Sequence, residues 1–227
     1  MIVSIAQPAY LPWLGYFDRI ARSDIHIVLD SVQIERRGFT HRNKIRTKDN
    51  WLWLTVPIKK KGNYHTPIYA LKINNESNWK KKHWNSIVHR YAKSPHFKQY
   101  KEPLEYIYMR DWLLLNALLQ ESTNMLFEML GLKTQLIFTS KMDIKGEKSE
   151  LILNLCKEVD AKKYISGPFG KDYLDQRSFE NAGIEIQYHN YKHPEYVQFY
   201  SGFEPYMSII DLIFNHGPNS LGILTAN

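Results

Sequence analysis

The 227 residues suit one α/β domain, and 44% hydrophobic with 23% charged content excludes a wholly disordered chain. The net charge of +7 is unevenly spread: residues 1–110 hold twenty Lys or Arg against eight Asp or Glu, whereas residues 111–227 hold ten against fifteen. A single cysteine excludes an internal disulfide framework and a cysteine-based zinc cluster, and no apolar run approaches the roughly 18–20 residues of a membrane span. The first residues lack a signal-peptide pattern, so the expected location is the cytoplasm.

In chain order, residues 2–6 read as a strand ended by Gln7-Pro8, and Pro8 and Pro12 then punctuate a loop. Residues 15–22 place Phe17, Ile20 and Ala21 on one helical face, and 25–29 read as a second strand. Strand, helix and strand within thirty residues predict a parallel βαβ unit. Residues 31–50 are polar and read as an irregular loop, 51–57 as a third strand and 68–73 as a further one. Three helical segments follow, at 77–91, between Pro95 and Pro103, and at 111–130, with Gly131 as a stop. Alternation then resumes, with strands at 134–138, 163–165 and 184–188 and helices at 147–159, 172–181 and 206–214. The expected fold is a single α/β domain over 1–227, a Rossmann-like parallel sheet with a helical insertion at about 77–130.

In such a sheet ligands bind beyond the C-terminal ends of the strands. That rule selects four loops. The first, Gln7 to Trp13, leads into a helix and offers Gln7, Tyr10, Trp13 and Tyr16. The second follows Asp30, a candidate catalytic carboxylate, and carries Arg36, Arg37, Arg42 and Asn43 as a phosphate clamp. The third, around Ser166, Gly167 and Gly170, is a small-residue turn without a P-loop or dinucleotide spacing. The fourth holds His189, His193, Tyr196 and Gln198. His193 lies further into the loop and is the candidate general base, while Pro194 argues against a metal-binding histidine pair. Asp211 on an apolar helix needs either a partner or solvent. Cys156 falls on an apolar stripe and reads as inert core. No metal or cofactor is expected. Gln7, Tyr10, Trp13, Asp30, Arg42, Asn43, Ser166 and His193 are expected to border one cavity.

The basic runs Lys59–Lys61 and Lys80–Lys82, the latter beside Trp79 and Trp84, open a second reading, a nucleic-acid or tRNA surface; a wet helix face is the simpler explanation of them.

Four blocks carry a resemblance: IAQPAYLPWLGYFDRIARSDIHIVLDSVQ, FTHRNKI, YISGPFGKDYLD and HPEYVQFYSGFEPYMSIIDLIFNHGP. Together and in this order the sequence resembles the WbqC-like family. The resemblance implies a bacterial protein associated with O-antigen and other surface polysaccharides. It also implies a transferase that adds an acyl or aminoacyl group to a nucleotide- or lipid-linked amino sugar. The expected partner is therefore a small, phosphate-containing substrate, with Arg42 and Asn43 holding phosphate and His193 moving a proton. The alternatives are a non-catalytic scaffold in a glycan-assembly complex and the nucleic-acid module.

Overall fold

The computed structural model describes residues 1–35, 38–59 and 65–226. A Rossmann-like parallel sheet organises it. Its strands are β1 (Ile2–Ala6), β2 (Ile25–Val28), β5 (Gln135–Phe138), β6 (Lys163–Ser166) and β7 (Glu185–Tyr188), in the order β5-β2-β1-β6-β7. Every pairing is parallel; Val3, for instance, sits level with Ile25 on one side and Tyr164 on the other.

Side chains alternate across this sheet, as the period of two requires. Val3, Ile5, Ile25, Ile27 and Tyr164 face one layer, made by α5 (Lys148–Glu158) and α6 (Gln176–Asn181). Cys156 sits there fully buried, and burial pushes its thiol up to about 12, which leaves it inert. The opposite layer contains α1 (Leu14–Ala21), the insertion helices α2 (Trp79–Tyr91), α3 (Phe97–Met109) and α4 (Leu115–Leu130), and α7 (Ile209–His216). A last short helix, α8 (Ser220–Leu224), packs on α1. Among the described residues no helix is long and apolar enough to cross a membrane.

Several boundaries differ from the sequence reading. Within the expected loop 31–50 lies β3 (Arg42–Arg46), which pairs antiparallel with β4 (Trp51–Thr55) as a separate two-stranded ribbon. Asn43 and Ile45 point inward while Arg42 and Lys44 lie across Trp53 and Trp51, so long cationic side chains disguised the alternation. The segment expected as a strand at 68–73 is a 3₁₀ turn, Ile68–Ala70, that buries Ile68 and Leu71 three residues apart. Helix α3 continues through Pro103 to Met109, held by Leu104, Ile107 and Tyr108 in the core. Helix α4 starts at Leu115 rather than 111, because Leu113 and Leu114 are extended and paired with Ile73 and Lys72. The last predicted helix begins at Ile209, capped by Ser208, and Gly217 ends it at a positive φ of 54° before α8.

Candidate active site at the strand ends

β1 leads through α1 to β2 on its left, whereas β6 leads through α6 to β7 on its right, with α1 and α6 in opposite layers. The chain therefore departs in opposite directions from the ends of β1 and β6. This is the topological switch point, where an open parallel sheet forms its crevice. Gln7 follows β1 there, Gly167 follows β6, and His189 follows β7.

Helix α1 contributes Asp18 to this end. The Asp18 side chain is 2% exposed, and its Oδ2 lies 2.6 Å from His189 Nε2 and accepts from Arg22 Nε at 2.8 Å. Burial alone would raise this carboxyl, but the bonds to His189 and Arg22 outweigh burial and hold it below its ordinary value. Asp18 is thus ionised at neutral pH and orients the His189 ring, with the Nε2 proton directed at its carboxylate. Among the described residues His189 Nδ1 meets no partner, and it is not closed off from solvent. The ring stacks on Tyr191, and the His189 backbone N–H bonds Ser166 at the end of β6. A carboxylate that orients an imidazole whose second nitrogen is open is the arrangement of a general base.

Arg19, the next residue on α1, is half-buried and reaches the same strand end. Its Nε is buried without a partner, and among the described residues it donates no side-chain hydrogen bond and meets no carboxylate in an ion pair. Nη1 lies so close to Gly167 that a Cβ there would sit 2.8 Å away. The Arg19 charge acts on the Tyr164 and Tyr173 phenols, opposing the rise that burial gives both. Gly170 is small for a related reason: a side chain would collide with Ser166 Oγ.

Beside this point, Tyr173 also borders a cleft of about 620 Å³ lined by Gln7, Leu29, Gln33, Glu35, His65, Lys148 and Ile152. Gln7 builds its wall, accepting from the Glu35 N–H and Thr40 Oγ1 and donating to the Gln33 carbonyl. Lys148 opens α5 at a φ of 49°, a strained position for a non-glycine residue at the rim. A second depression of equal volume, by Asp24 and Thr134, lies at the opposite ends of the strands, so topology selects the first.

Residues 7–223 match the WbqC-like protein family. The chain belongs to this family. It is 35% identical over 217 residues to the uncharacterized protein Rv1507c of Mycobacterium tuberculosis, a match covering 95% of this chain and 94% of the relative. No solved structure matches the chain.

The blocks that carry the WbqC-like resemblance hold the candidate residues in three separate places. Gln7 alone lines the cleft, with Ser166, Gly167 and Gly170 at the crevice beside it. Ser166 Oγ donates to the Gly167 carbonyl. A second group is interior. Tyr10 bonds His83 and Tyr108, and Tyr16 bonds His26, whose burial takes its ring down to about 3 and keeps it neutral. Asp30 is fully buried and accepts from Asn116, Thr139 and Ser140. Asp211 accepts from Tyr91, Tyr196 and Gln198. The third group surrounds the ribbon and the last loop. Arg42 Nε donates to the Gly38 carbonyl and its guanidinium covers Trp53, while Asn43 donates to the carbonyl of Leu11, a residue held at a φ of 44°. Trp13 meets Tyr191 and Tyr206 edge-on. His193 has both nitrogens engaged, Nδ1 with the Pro194 carbonyl and Nε2 with the Tyr206 N–H, and packs on Tyr196. Burial lowers its pKa despite the Pro194 bond, so the ring stays neutral.

The eight residues expected around one cavity therefore do not share one. Arg36, Arg37, Lys60 and Lys61 lie outside the described residues. Asp18, Arg19 and Tyr173 fall outside the residues the sequence singles out, and the sequence reading favours His193 over His189. One signal was available: His189 is the first residue after a predicted strand, whereas His193 is five residues beyond it.

Proposed function

We propose that this protein is a transferase that moves an acyl or aminoacyl group onto the amine of a nucleotide- or lipid-linked sugar, in the cytoplasm, during assembly of a surface polysaccharide. The observation that carries the reading is the Asp18–His189 pair at the switch point. His189 Nδ1 takes a proton from the sugar amine as its nitrogen attacks the acyl carbonyl. The new N–C bond forms, the bond from the acyl carbon to its carrier breaks, and the carrier leaves with the electron pair and regains a proton from His189. Family membership supports the substrate class, and the polar groups converging beyond the strands favour chemistry over a scaffold role.

The test is to offer amino-sugar nucleotides with acyl donors to the protein and compare His189→Ala. Turnover is expected to fall roughly 10²–10⁴-fold with substrate affinity nearly unchanged. Full turnover in that variant would remove His189 from catalysis.

A second reading has its own observation. Arg42 lies 4.5 Å over Trp53 and Lys44 4.4 Å over Trp51 on the ribbon's outer face, a basic and aromatic surface suited to single-stranded nucleic acid. A steep salt dependence of oligonucleotide binding, lost in Lys44→Ala, is the result that favours it.

A further inference from the structure

We propose that Arg19 is an oxyanion receptor that grips a phosphoryl group of the ligand at the end of β6. This rests on reading the strand-end crevice as the active site and names what one side of it binds. Buried ionised groups are normally paired, and Asp18, one residue earlier, takes two partners. Among the described residues Arg19 takes none, although its Nε is cut off from water. Burying part of a guanidinium without a counter-charge is unfavourable unless something else supplies the charge.

The surroundings keep that place open. Residue 167 is glycine with an ordinary φ of −63°, so the backbone does not demand it. A methyl group there would stand 2.8 Å from Arg19 Nη1, so the guanidinium holds its present place only because residue 167 is small. Tyr173, 45% exposed, feels the charge of this guanidinium and also lines the cleft. A planar fork of donors beside a phenol suits a phosphoryl group, and a diphosphate linkage would extend from Arg19 into the cleft. Phe169, 78% exposed in the same turn, offers a ring to the ligand's next moiety.

The probe is inorganic pyrophosphate, titrated calorimetrically at low salt into the full chain and into Arg19→Met, Gly167→Ala and His189→Ala, with acetate as a second probe. Pyrophosphate is expected to bind the unaltered protein, to weaken about 10–100-fold in Arg19→Met, and to weaken in Gly167→Ala, whose added methyl fills the receptor. Affinity in His189→Ala should be unchanged. Since Arg19 has no partner to orphan among the described residues, Arg19→Met should melt within a few degrees of the parent; should it fail to fold, Gly167→Ala carries the test. Equal affinity in Arg19→Met, or in a folded Gly167→Ala, overturns the proposal. So does binding of acetate but not pyrophosphate, or of neither. Normal turnover in His189→Ala with weakened pyrophosphate in Arg19→Met would sink the base assignment and leave the receptor standing.

Discussion

Asp18 and Asp211 are both buried carboxylates with several donors, yet they are shifted in opposite directions. Around Asp211 burial dominates the bonds from Tyr196, Tyr91 and Gln198, so its pKa is raised; around Asp18 the bonds to His189 and Arg22 dominate, so its pKa is lowered. The consequences for stability have opposite signs. A depressed carboxyl stabilises the fold above its unfolded value of about 3.9, and that contribution is lost as pH falls through the folded value. Ionising a raised carboxyl instead works against the fold as pH rises through its folded value. The stability difference between the parent and Asp18→Asn, followed by urea unfolding, should shrink as pH falls below about 4. A difference that does not shrink below about pH 4 would show that Asp18 is not the charged partner described.

Helix α3 carries its own conflict. Pro103 lies inside it, is exposed, and cannot donate to the carbonyl four residues earlier. Pro103→Ala restores that bond and should raise stability by about 1–3 kcal/mol in denaturant unfolding. An unchanged midpoint would mean that the helix had already relaxed around the ring. The same proline hid the helix from sequence reading, since local propensity argued for a stop and the burial of Leu104 and Ile107 overrode it. Elements whose burial follows a simple period were legible: all five sheet strands and the helices crossing between them. The ribbon strand β3 was not, because half of its pattern is written in arginine and lysine. At the site, strand ends could be located from periodicity, but the contact between Asp18 and His189, 171 positions apart, could not. Which of two nearby histidines faces the crevice depends on loop geometry, and Pro194 and Tyr206 claim the other one.

At the scale of the whole molecule the sheet separates two cores, one under α5 and α6 and a larger one around the insertion. We propose that they unfold together as one domain. Cys156 lies wholly in the smaller core, and its thiol reacts only when that core opens. Thiol labelling under native conditions should therefore give an opening free energy equal to the global value from urea unfolding. A markedly smaller labelling value would reveal that the α5–α6 layer opens alone.

The order of strands also sets a timetable for synthesis. β1 is made first and finds β2 almost at once, but its other neighbour is β6, which begins at Lys163. A ribosome working at roughly 5–20 residues per second leaves that edge of β1 without a partner for about 7–27 seconds. During that interval the centre of the future sheet is an open template for another nascent chain. Recombinant yield should then depend on translation speed and chaperone supply more than on the stability of the finished fold.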